Sequence, residues 1–200
     1  HTYHSNSSYG PFKTWLGKDI AKTNNYAVYA SLLLINLSGF NAEAGVRYNN
    51  HIIYGGNATY SFNPSYNVDE NTRVFVNISS AYKVPSLYQL YSEYGNKDLK
   101  PEESNNYEAG VQSLSNNKKN SLRIVGFKRD IRQLIIFYSD PVTYASKYIN
   151  RDKQNDYGFE LESTITVGKT GNWVTNLTYV DGEGKTDNVK VKNFYRRPNF

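Results

Sequence analysis

From Phe40 the chain alternates strictly. Phe40, Ala42, Ala44, Val46 and Tyr48 fall on one side, and Asn41, Glu43, Gly45, Arg47 and Asn49 on the other. A period of two with one apolar side predicts a strand. The pattern returns at Ala58, Tyr60, Phe62, Tyr66 and Val68, and again at Val74, Val76, Ile78, Ser80 and Tyr82. It recurs at Tyr107–Val111, Tyr157–Val167 and Trp173–Tyr179. Pro64 interrupts the second of these strands and predicts a bulge or a locally unpaired position, since proline donates no ladder bond. Two segments resist a face assignment. Tyr26–Ile35 is apolar on both sides, and Leu122–Tyr138 loses its period near Lys128–Arg132, where a register change is expected.

The connections alternate in length. Short turns are predicted at 36–39, 69–71, 116–120 and 168–172, and longer loops at 50–56, 83–105, 139–154 and 180–188. In an up-and-down meander, all the short turns then fall at one end. The apolar faces of the clean strands carry no formal charge, while Glu43, Arg47, Arg73, Glu108, Glu160 and Glu162 occupy the opposite faces. Tyr and Trp collect near strand ends. One-ended long loops, a charge-free outer face and aromatic girdles together predict an all-β, antiparallel up-and-down transmembrane β-barrel. A bilayer requires closure because every backbone group in hydrocarbon must be paired. Eight or nine strands are legible, which is read as a partial barrel forming a single segment, 1–200. A soluble sandwich also alternates, and a small closed-barrel adhesin or binding module is the alternative of another class.

Composition narrows the chemistry. The 200 residues contain no cysteine, so no disulfide or thiolate metal site can form. The formal charge is +5, but the cations are scattered among acids rather than gathered in a stripe, which argues against nucleic-acid binding. No apolar run reaches the length of a spanning helix, and residues 1–25 lack the layout of a signal peptide. Nineteen tyrosines are the compositional anomaly.

One stretch carries a specific resemblance. Tyr82, Lys83, Pro85, Leu87, Leu90, Tyr91, Gly95, Asn96, Leu99, Pro101, Glu102, Tyr107 and Glu108 match, in order and spacing, a signature of the TonB-dependent outer-membrane receptors. Gly126–Ile131, Asn150, Tyr157–Glu160 and Tyr195–Pro198 are similar to later strands of that family. The order looks most similar to the cobalamin receptor branch, with siderophore receptors sharing the scaffold. The resemblance implies a plugged barrel of roughly twenty-two strands, of which this chain supplies a middle-to-late third without plug, TonB-binding segment or closing strand. It implies an importer of a large scarce nutrient in the outer membrane of a Gram-negative bacterium, with cobalamin as the expected nutrient and a ferric siderophore as the alternative. The implied partners are the plug of the same protein, the TonB energy-coupling complex, that ligand, and a surface-exposed lipoprotein.

No cofactor and no catalytic machinery is expected. His1 and His4 form a His-x-x-His pair without a third ligand, and no nucleophile elbow or phosphate loop occurs. Glu102–Glu103 reads as a cap where the loop re-enters a strand, and Glu160/Glu162 as wet lumen residues. Asp181–Asp187 offers oxygens suited to calcium without ordered ligand spacing, and reads as a flexible polar loop. Binding is better supported. Tyr88, Tyr91, Tyr94 and Asn96 in the long connection are candidates for solute contact, tyrosine being a rigid amphipathic recognition group. The competing reading is that the tyrosines pack the loop onto the barrel rim. Arg73, Glu108, Glu160, Arg196 and Arg197 are candidates for contact with the plug, against simple solvation of the lumen.

Overall fold

The computed structural model describes residues 2–4, 22–186 and 189–191. Ten strands follow one another in a single antiparallel sheet whose spatial order is the chain order. They are β1 (Thr2–His4), β2 (Lys22–Leu37), β3 (Phe40–His51), β4 (Gly55–Asn67), β5 (Thr72–Lys83), β6 (Glu102–Leu114), β7 (Ser121–Ser139), β8 (Ser146–Val167), β9 (Gly171–Thr186) and β10 (Val189–Val191). A short helix, α1 (Leu87–Tyr91), interrupts the connection between β5 and β6. Among the described residues the meander is open at both edges, as expected for part of a barrel wall.

Register aligns the apolar positions across the sheet. Phe40 opposes Tyr66, Val46 opposes Tyr60, Phe62 opposes Ile78, and Phe159 opposes Tyr179. Most of these side chains are large and exposed, as are Val74, Ile124, Ile165, Trp173 and Leu177. A water-soluble sheet would cover such a face, because each large apolar side chain left in water forfeits about 1.5–3 kcal/mol of burial. Aromatic residues sit at two levels on it: Phe40, Tyr66 and Trp173 near the short turns, and Tyr48, Tyr107, Tyr157 and Tyr179 towards the other end. The stretches between them, 40–48, 58–66 and 157–167, match the roughly 9–11 residues of a spanning strand.

Pairing settles the segments that the pattern left open. Val28, Ala30, Leu32 and Leu34 face Tyr48, Val46, Ala44 and Ala42, and so belong to the apolar face, while Tyr29 and Leu33 oppose Arg47 and Glu43. Pro64 pairs with Ala42 in β3, but the β4–β5 ladder skips positions 63 and 64, the locally unpaired alternative.

Several expectations need correction. No register change occurs near Lys128–Arg132. The β7–β8 pairing keeps one register from Ser121 to Ser139, and only Gln133, at φ 55°, is irregular. The long loops expected at 139–154 and 180–188 are mostly strand, since β7 and β8 join through residues 140–145 and β9 continues to Thr186. The supposed flexible segment at Asp181 is therefore ladder as far as Thr186, where Gly182 and Gly184 lie opposite Asp156 and Gln154. The turn between β3 and β4 is also short, residues 52–54. Among the described residues only 84–101 is a long connection. Strands β7 and β8, at 19 and 22 residues, run well past the spanning length, so their polar ends mimic loops in the sequence.

Candidate functional site

The connection 84–101 is a built element. Ser86 caps α1 by accepting from the Gln89 backbone N–H at 3.2 Å, and Gln89 Oε1 accepts from the Ser86 N–H at 2.9 Å. This reciprocal capping box satisfies two otherwise orphaned donors. The helix turns Leu90 inward, where it joins Leu99 and Ile135 in a small core flanked by Tyr91 and Tyr148. Leu99 is 2% exposed. The connection is thus held by its own apolar contacts against the far ends of β7 and β8.

Hydrogen bonds fix its position. Tyr94 O accepts from the Tyr148 N–H at 3.0 Å, and Asn96 Nδ2 donates to Tyr148 O at 3.0 Å. Asn150 receives the Lys100 N–H at 2.8 Å and donates to Lys100 O at 2.9 Å and to Gln133 O at 2.6 Å. Tyr54 Oη donates to Leu99 O at 3.1 Å. Glu102 joins the same frame: one carboxylate oxygen accepts from the Ile135 N–H at 2.7 Å, and the other pairs with Lys83 Nζ at 3.0 Å.

The tyrosines meet aromatic residues of the strand ends. Tyr88 lies edge-on to Tyr148 at 6.2 Å, Tyr148 to Phe137 at 5.3 Å, and Phe137 to Tyr94 at 5.4 Å. Tyr88 keeps 49% of its surface exposed. Tyr91 is half-buried, with Lys97 Nζ 5.4 Å from its ring centre. The result is a continuous aromatic shelf with one packed side and one open side. Phe137 and Tyr148 do not stand out in the sequence; only the β7–β8 pairing brings them opposite each other.

The polar face carries the other candidates. Arg73 donates to Gln112 at 3.2 Å and lies 5.7 Å from the Phe75 ring centre. Arg123 approaches the same ring at 5.6 Å and pairs with Glu162 at 3.3 Å. Glu108 accepts from Asn77 at 3.0 Å. Glu108 and Glu160 border a 90 Å³ hollow with Phe127 and Arg129. Asp156, 3% exposed, accepts from Gln154 at 3.1 Å through both oxygens. Sequence reasoning missed that pair, whose signal was the Gly182/Gly184 alternation across the ladder. His1, Arg196 and Arg197 lie outside the described residues.

At the same end as the shelf, His51 is 4% exposed and ties β3 to β2 by a hydrogen bond between its Nε2 and Thr23 Oγ1. Its Nδ1 accepts from the backbone N–H groups of Ile53 at 3.2 Å and Tyr54 at 3.4 Å. Burial holds its pKa below the ordinary histidine value.

An exposed apolar face, a charged opposite face and an aromatic shelf at one rim define part of the wall of a membrane β-barrel receptor. The family model described as TonB dependent receptor-like, beta-barrel, matches residues 1–200, and the chain belongs to that family. Among solved structures, the siderophore receptor PirA from Pseudomonas aeruginosa is 26% identical, with a TM-score of 0.73 over 82% of this chain and 33% of its own. A mutant ferric enterobactin receptor, PfeA, from the same organism is 25% identical, with a TM-score of 0.70 over 80% of this chain and 27% of its own. The copper transporter OprC, 17% identical with a TM-score of 0.67 over 83% of this chain and 29% of its own, shares the fold. This chain spans a third or less of each of these structures.

Proposed function

We propose that this chain forms part of the wall of an outer-membrane, TonB-dependent importer of a ferric siderophore. The aromatic shelf of Tyr88, Tyr94, Phe137 and Tyr148 carries the reading, because it offers rigid rings to a large, flat or aromatic solute at the rim. The two receptors at 25–26% identity support a siderophore over the cobalamin branch expected from the sequence; neither cobalamin nor a surface lipoprotein draws support from these relatives. Tyr91 and Asn96 hold the shelf from behind, and Asn96 contributes through its bond to Tyr148 O. Arg73, Glu108 and Glu160 face the lumen and are proposed to meet the plug of the intact receptor, with TonB acting through that plug.

Titration of the intact receptor with ferric enterobactin, a ferric hydroxamate siderophore and cobalamin tests the ligand class. Tight binding of a ferric siderophore, weakened by Tyr88→Ala with Tyr94→Ala, is the expected result. Binding of cobalamin alone would overturn it.

A further inference from the structure

The turn between β3 and β4 is built on one imidazole. His51, 4% exposed, takes the backbone N–H groups of Ile53 at 3.2 Å and Tyr54 at 3.4 Å on its Nδ1. Nδ1 therefore carries no proton, and Nε2 donates to Thr23 Oγ1 of β2. An imidazolium cannot occupy this place. Both of its nitrogens carry protons, so the Nδ1 proton would point at two N–H donors. A ring flip leaves the same two donors facing the proton on Nε2. Charging His51 requires residues 52–54 to open.

Tyr54 carries that opening across the rim. Its backbone N–H is held by His51, its ring lies 5.1 Å from the imidazole, and its hydroxyl donates to Leu99 O at 3.1 Å. Leu99 belongs to the small core, with Leu90 and Ile135, on which the long connection rests. Around His51 stand Thr23 and Asn25 of β2, Gly55 of β4 and Tyr54 itself. Tyr54 has the phenols of Tyr82 and Tyr91 nearby, and Tyr82 has the carboxylate of Glu103. Burial, with no neighbouring charge, lowers the His51 pKa, while Tyr54 is held above the ordinary phenol value. Of the two rings, His51 is thus the one that changes charge between pH about 7.5 and about 5. The opened turn, with a solvated imidazole, takes the proton first, so acid favours opening.

We propose that His51 and Tyr54 form a proton-operated latch on the aromatic shelf. Protonation opens the turn, Tyr54 leaves the Leu99 carbonyl, and the connection 84–101 loosens around Tyr88 and Tyr94. A solute held at neutral pH is then released in acid. Release of the solute rests on the siderophore reading given above; the loosening itself does not.

Hydrogen exchange of the intact, ligand-free receptor in detergent tests the latch, with protection factors taken relative to the intrinsic rate at each pH. Protection at residues 97–101 should fall about tenfold from pH about 7.5 to about 5. His51→Gln, whose amide oxygen can still accept from the turn, should abolish that fall. Tyr54→Phe should leave protection at 97–101 low and insensitive to pH, while residues 51–54 still respond. A full response at 97–101 in Tyr54→Phe, or none in the wild type, would overturn the proposal. Heat-modifiable mobility checks that each variant keeps its barrel. Ferric enterobactin supplies the second measurement. Wild type and His51→Gln should bind it alike at pH about 7.5, and the wild type should lose about tenfold more affinity by pH about 5. Comparing the two proteins cancels protonation of the ligand. Equal loss in both would overturn release by the latch. Absence of binding at neutral pH would count against the siderophore reading and leave the exchange result to decide the latch.

Discussion

Asn150 and Lys100, fifty positions apart, exchange two hydrogen bonds, Lys100 N–H to Asn150 Oδ1 at 2.8 Å and Asn150 Nδ2 to Lys100 O at 2.9 Å. The same amide nitrogen also reaches Gln133 O. One side chain therefore joins the long connection to β7 and β8. Asn150→Ala should remove these bonds and cost about 1–3 kcal/mol of local stability. Limited proteolysis should then cut within 84–101 more readily, while heat-modifiable mobility of the barrel stays unchanged. Equal protease resistance would show that the apolar cluster alone holds the connection.

His51 should make its turn sensitive to pH. With Nδ1 accepting two backbone N–H groups, the ring is held neutral, and burial also disfavours the charged form. A pKa lower in the folded than in the unfolded state means that the unfolded chain binds the proton first as pH falls. The contribution is thus complete above the unfolded value of about 6.5 and is lost as pH falls through the lower folded value. Protection factors for hydrogen exchange at residues 51–54, taken relative to the intrinsic rate at each pH, should drop as pH falls from about 7.5 to about 5, and His51→Gln should flatten that response.

Gly158 and Gly126 should respond unequally to alanine. A Cβ at Gly158 would collide with Tyr179 O and fall 2.7 Å from the Phe127 ring, and the carbonyl is backbone that cannot turn aside. Gly158→Ala should destabilise the barrel by about 1–3 kcal/mol. Gly126→Ala meets open space and should leave stability unchanged. Denaturant midpoints followed by gel mobility compare the two.

The sequence was most legible where one environment persists along a strand. Between Phe40 and Tyr48 the apolar side faces hydrocarbon throughout, so alternation gives the strand and its faces together. Tyr26–Ile35 is apolar on both sides, and only pairing with β3 assigns Val28 and Leu32 to the outer face. The apparent slip at Lys128–Arg132 has another cause: the environment reverses while the register persists. Lys128, Asp130 and Arg132 continue the outer face past the girdle, where it turns polar, while Ile135 becomes apolar cover for Leu90 and Leu99. The shelf was half legible for the same reason. Tyr88 and Tyr94 stood out in a loop, but Phe137 and Tyr148 acquire their role only through long-range pairing.

Glu102 separates two contributions that the sequence signature merges. Its side chain is 13% exposed, with one oxygen on the Ile135 N–H and the other on Lys83 Nζ. Ile135 lies beyond Arg132, where β7 no longer pairs with β6, so the carboxylate replaces a missing ladder partner. Glu102→Gln retains an oxygen for the N–H and loses only the ionic component to a largely exposed lysine, worth about 0–1 kcal/mol. Glu102→Ala leaves a part-buried N–H without that acceptor and should cost about 1–3 kcal/mol. Hydrogen exchange at Ile135 should therefore rise strongly in the alanine variant and little in the glutamine variant. Equal acceleration in both would assign the role to the Lys83 ion pair instead.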